Sequence, residues 1–90
     1  DLILVARMTG NPRTFPPARF TGYRDALRNL TSDDVALADV TSPWLEMLKS
    51  KSFSDLSGNN VNHPNDFGHR HYAAVVCQLF PAKVANDRKP

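Results

Sequence analysis

The sequence predicts an α/β fold built on a parallel sheet, and three observations lead there. Two short runs, Leu2-Ile3-Leu4-Val5-Ala6 and Val35-Ala36-Leu37-Ala38-Asp39-Val40, are apolar without polar alternation. That is the pattern of strands buried on both faces. Between them, Tyr23, Ala26, Leu27 and Leu30 recur at one-turn spacing, the stripe of an amphipathic helix. A strand, a helix and a second strand in succession imply a right-handed crossover and a parallel pair.

Each element has its own local warrant. After the first strand, Gly10, Asn11, Pro12, Pro16 and Pro17 make 7–17 a long loop. Thr21 is the expected N-cap of the first helix. Thr31-Ser32-Asp33-Asp34 is a turn into the second strand, which carries Asp39 near its C-terminal end. Ser42-Pro43 is a helix start, since Ser caps and Pro suits the first helical position. That helix carries Trp44, Leu45 and Leu48 and ends near Ser50. Residues 51–62 are loop, rich in Ser, Gly and Asn. Asn65-Asp66 offers the next cap, for a helix bearing Phe67, Tyr72, Val75, Val76, Leu79 and Phe80 that Pro81 weakens or ends.

Size and composition narrow the function classes. Ninety residues allow one small domain. No apolar run exceeds six residues, against roughly 20 for a membrane helix, so no membrane span is expected. Asp1 leads straight into the apolar run Leu2–Ala6, and no signal peptide is read within the chain. A single cysteine, Cys77, excludes an internal disulfide framework and a cysteine-based zinc site; it is expected to be buried and inert. Eleven Lys and Arg against nine Asp and Glu give a net charge of +2. The arginines at 7, 13, 19, 24 and 28 are dispersed, as on a solvated face, so no nucleic-acid partner is predicted.

Two strands make a poor sheet, and a chain this small buries only ~60% of its unfolded surface. Strands apolar on both faces also need neighbours on both edges. Residues 1–82 therefore read as the C-terminal part of a larger α/β domain, with 83–90 a polar tail that frays. Upstream sequence, or self-association, is expected to cover the remaining surface.

The densest polar cluster is Asn59-Asn60-Val61-Asn62-His63-Pro64-Asn65-Asp66, running into Phe67-Gly68-His69-Arg70-His71-Tyr72-Ala73. A histidine followed by proline and a capped helix has a fixed backbone, which suits a general base whose ring must be aimed. The alternative is a plain loop residue before a helix. His69 and His71 do not converge with each other on a helix, because residues two apart point about 200° apart; no metal and no cofactor are predicted.

At this cluster the chain resembles the SGNH hydrolases, also called GDSL esterases or lipases. Their last motif has the form Asp-x-x-His-Pro, often followed by Asn-x-x-Gly-His and a helix with an alanine. His63-Pro64-Asn65-Asp66-Phe67-Gly68-His69, with Ala73 or Ala74, matches it. The resemblance covers roughly residues 1–82. It implies the C-terminal portion of a three-layer, flavodoxin-like parallel-sheet fold. It also implies that His63 is the base of a Ser–His esterase acting on a small-molecule, lipid or carbohydrate ester.

Two departures shape that expectation. Asn60 stands three before His63, where the family has Asp; an amide can orient an imidazole but stabilises its cation less. Asp39 and Asp55 are the other carboxylates weighed for that role, each with a structural alternative: a cap at Thr41–Ser42 and a loop turn. The family's Gly-Asp-Ser nucleophile, its oxyanion glycine and its Gly-x-Asn-Asp motif are absent. Gly10-Asn11 and Ser54-Asp55-Leu56-Ser57 do not substitute for them. The nucleophile would lie outside this chain, and 90 residues alone would be inactive. The competing class is a non-catalytic binding module on the same scaffold. Trp44 and Phe53 are read as core rather than as an acyl pocket.

Overall fold

A computed structural model describes residues 1–80; the end of the last helix at Pro81, the limit of the domain at residue 82 and the tail 83–90 lie outside the described residues. The order is β1 (Leu2–Ala6), α1 (Pro17–Arg28), β2 (Val35–Asp39), α2 (Thr41–Met47), a single 3₁₀ turn (Phe53–Asp55) and α3 (Asp66–Cys77). β1 and β2 are adjacent and parallel, with Leu2 opposite Val35 and Ala6 opposite Asp39. The protein is thus a small α/β structure with a two-stranded parallel sheet and three α-helices among the described residues.

Several boundaries differ from the sequence reading, each for a local reason. Helix α1 begins at Pro17 rather than after Thr21. Proline's fixed φ suits the first turn, where its missing N–H costs nothing. Thr21 lies inside the helix and its hydroxyl donates to the Ala18 carbonyl. Helix α2 begins one residue before Ser42, and Asp39 supplies the cap. Its carboxylate accepts the Ser42 N–H at 2.9 Å and the Ser42 hydroxyl, and pairs with Arg28 at 3.1 Å. Asp55 closes a capping box with Ser52. Asn65 caps α3 by accepting the Gly68 N–H at 2.9 Å.

The core lies at the carboxyl end of the sheet, not across its faces. Met8, Val40, Trp44, Phe53 and Leu56 form it, with Met47, Leu48, Tyr72 and Val75 packed around them. Trp44 and Leu56 are wholly inaccessible, and burying side chains of this size stabilises by about 1.5–3 kcal/mol each. Trp44 and Phe53 are therefore core residues. By contrast, β1 is not buried on both faces: Leu2 is 62% and Val5 43% exposed. Tyr23 of α1 and Leu30, two residues beyond its end, are exposed as well. They line an apolar cleft of about 350 Å³ with Val5, Phe20 and Leu27. Cys77 is exposed rather than buried, because it falls off the Tyr72–Val75–Val76 face of α3 that meets the rest of the protein.

Candidate functional site

The segment after the 3₁₀ turn is built almost entirely from small polar residues, and those residues fold it. Asn59 Oδ1 accepts three consecutive backbone N–H groups, from Val61 (2.9 Å), Asn62 (3.0 Å) and His63 (3.1 Å). Asparagine does this because its short amide mimics a turn carbonyl. The Ser57 hydroxyl accepts the Asn60 N–H at 2.9 Å and donates to the His63 carbonyl at 2.8 Å. The Gly58 N–H donates to that same carbonyl at 2.9 Å. Asn60 carries the tight bend with φ of 60°, in the left-handed region that asparagine tolerates better than most residues.

The far side of the histidine is fixed equally firmly. The Asn65 N–H donates to the Leu56 carbonyl at 2.9 Å, and its side-chain amide donates to the Asp55 carbonyl at 2.8 Å. Helix α3 then starts, with Gly68 pressed against this loop. A Cβ at Gly68 would stand 2.7 Å from both the Leu56 oxygen and Pro64 Cβ, and 3.0 Å from the Trp44 ring. The glycine in the motif is therefore a close-approach residue that lets the helix start sit on the loop.

The loop lies at the carboxyl edge of the sheet. Its contacts are with the residues that follow β1: the Asn11 N–H reaches the Val61 carbonyl at 2.8 Å, and the Arg7 guanidinium reaches the Asn62 carbonyl at 2.8 Å. Beneath it, the Met8 N–H donates to the Tyr72 hydroxyl at 2.7 Å. Burial raises the Tyr72 pKa above its usual value, while that bond and the charge of Arg7 oppose the shift.

His63 itself is exposed. Its backbone is tied at N–H and C=O, and among the described residues its ring makes no hydrogen bond. Asn60 does not orient it. The Asn60 backbone is engaged by Ser57 and Asn11, but its side-chain amide bonds to nothing among the described residues. The carboxylates weighed for that role are occupied elsewhere, Asp39 with Ser42 and Arg28 and Asp55 with Ser52. The residue that organises the loop is Asn59, which sequence reasoning passed over. Its signal was available: an asparagine two residues ahead of a run of loop N–H groups forms an Asx-type turn.

The other histidines take separate roles. His69 is exposed on α3. The His71 ring packs on Trp44 with centroids 5.9 Å apart. Burial lowers the pKa of His71, partly offset by the Val40 carbonyl. Its Nε2 is buried without a hydrogen-bond partner among the described residues, as are Trp44 Nε1 and Thr9 Oγ1. No cluster of three candidate metal ligands occurs among the described residues, and none of their helices is long and apolar enough to cross a membrane. Chemically, the arrangement presents one accessible imidazole on a fixed backbone at the edge of a parallel sheet, where it can exchange a proton with a group brought to that edge.

Comparison with protein-family models, with curated proteins and with solved structures gave no match.

Proposed function

We propose that this chain is the histidine-bearing C-terminal portion of an SGNH-type ester hydrolase, on a flavodoxin-like three-layer scaffold of which it forms one part. The observation that carries the reading is His63, exposed on a loop whose backbone is bonded on both sides and which abuts the carboxyl end of β1. Its motif, His63-Pro64-Asn65 with Gly68, supports the same reading, because Asn65 and Gly68 each have a definite structural task there.

In this mechanism a serine from sequence outside the 90 residues attacks the ester carbonyl. His63 takes the serine proton as the C–O bond forms and passes it to the departing alkoxide, leaving an acyl-enzyme. His63 then takes a proton from water, which attacks the acyl group, and returns it to the serine. The substrate is a small-molecule, lipid or carbohydrate ester. No cofactor enters these steps. The apolar surface of β1 and α1 is covered by an upstream segment or by self-association.

The second reading is a binding module that keeps the scaffold without the chemistry. Asn60 favours it, since no carboxylate stands at that position and the His63 ring is unpartnered among the described residues. The test is hydrolysis of p-nitrophenyl acetate by the complete encoded protein. His63→Ala is expected to lower activity on the order of 10³-fold. Asn60→Ala costs far less, because the Asn60 side chain makes no bond to the ring. An enzyme indifferent to His63→Ala loses the hydrolase assignment. So does a reading frame with no Gly-Asp-Ser after an upstream strand.

A further inference from the structure

We propose that Arg7 and Asn11 are positioning residues for His63, acting as a clamp from the β1–α1 loop; the catalytic part of this inference rests on the hydrolase reading above. Three consecutive carbonyls lead into the histidine, and each is held from the same loop. The Asn60 carbonyl accepts from the Asn11 side-chain amide at 3.0 Å. The Val61 carbonyl accepts from the Asn11 backbone N–H at 2.8 Å. The Asn62 carbonyl accepts from the Arg7 guanidinium at 2.8 Å. These partners are 49 and 55 residues apart in sequence for the two side-chain bonds.

The chemistry of the clamp explains its residue types. The N–H groups of Val61, Asn62 and His63 all turn inward to Asn59 Oδ1. The carbonyls of 60–62 therefore face outward, and only donors can hold them. An asparagine placed opposite gives two donors from one residue, its backbone N–H and its side-chain amide. Its Oδ1 stays free for the Arg13 N–H at 3.0 Å, which fixes the asparagine in turn. Arginine gives a rigid fork: its Nε holds the Met8 carbonyl at 3.0 Å while its terminal nitrogen holds Asn62. Met8 is at the core, so Arg7 ties the loop to the best-packed part of the protein.

Without the clamp the loop loses its registration to the sheet edge, and its internal Asn59 and Ser57 bonds open more often. A displacement near 1 Å at a catalytic group costs about 10²-fold in rate. The variants separate the two donors. Asn11→Ala removes the side-chain donor to Asn60 and the acceptor of the Arg13 N–H, and keeps the backbone donor to Val61. Asn11→Asp replaces it with a carboxylate oxygen facing the Asn60 carbonyl. Arg7→Lys keeps the charge but not the fork.

The experiment measures backbone amide exchange and ester hydrolysis in the complete encoded protein. Asn11→Ala and Arg7→Lys are expected to speed exchange at Val61, Asn62 and His63 by about 10-fold or more with β1 and β2 unchanged. They lower kcat by about 10²-fold with KM nearly constant. Asn11→Asp is more severe in both, and Asn11→Gln recovers part of each. Unchanged exchange at residues 61–63 overturns the clamp. Faster exchange with an unchanged kcat, in a protein that His63→Ala inactivates, overturns the positioning role. If His63→Ala itself leaves activity intact, the hydrolase reading fails, and the exchange rates still decide whether the clamp exists.

Discussion

The loop from Ser57 to Asn65 has one large apolar side chain, Val61, and yet its backbone is hydrogen-bonded at Gly58, at each of residues 60–63 and at Asn65. Strand β1 is entirely apolar from Leu2 to Ala6, and yet Leu2, Ile3 and Val5 are left in water. The two regions meet at Arg7, which follows the strand and holds the loop. Their difference separates two sources of order. The loop is specified by side-chain oxygens and amides that satisfy its own peptide groups, so it needs few neighbours. The strand is specified by burial, which needs neighbours on its faces and its free edge, and among the described residues β2 and α1 pack against it while Leu2, Ile3 and Val5 stay exposed.

Removing burial beneath the loop has the largest expected effect on stability. Leu56 is inaccessible, and its carbonyl also receives the Asn65 N–H. Leu56→Ala is expected to cost about 2–5 kcal/mol, read from the denaturant midpoint. A cost below about 1 kcal/mol would mean that the loop does not rest on this core. Gly68→Ala comes next. The added methyl stands 2.7 Å from a backbone oxygen that cannot swing away, so about 1–3 kcal/mol is expected. Exchange at Asn65 and Gly68 should rise with it.

How much of this was legible in the sequence follows the same division. The parallel pair and its helical crossover came from apolar runs and spacing, because local hydrophobic pattern reflects which elements form. The caps by Asp39 and Asn65 and the turn at Asp55 were legible because they act over three residues. Exposure was not. An apolar strand such as β1 reads as buried whether or not its neighbours are present, and Cys77 ends an apolar run of α3 but lies off its packed face. Nor was the partner of His63: proximity in sequence pointed to Asn60, but its φ of 60° commits that residue to making the bend. The clamp by Arg7 and Asn11 spans about half the chain, and no local pattern encodes such a pairing.

The third prediction tests the packing under the loop by pH. His71 is held against Trp44 with Nε2 buried, and burial lowers its pKa below 6.5. A histidine depressed in the folded state binds more protons when unfolded. Its neutral form therefore contributes full stability above about pH 6.5, and that contribution is lost as pH falls below it. Thermal midpoints at pH 7.5 and pH 5 should differ more for the natural protein than for His71→Phe. An equal slope would mean that the ring is hydrated.

The smallest effect is expected on β1, and it is the sharpest test of the contrast. Leu2 is 62% exposed, so Leu2→Thr removes little buried area and keeps a residue that suits a strand. The 90-residue chain should change by no more than about 0.5 kcal/mol. A loss near 1.5–3 kcal/mol, as for a fully buried leucine, would mean that β1 is covered in solution. Repeating the melt across a hundredfold range of protein concentration identifies the cover. A midpoint that rises with concentration means a second copy lies on the strand, because mass action then favours the folded assembly. A constant midpoint with a small loss leaves β1 bare in this chain, with its apolar residues in water as the contrast with the loop requires.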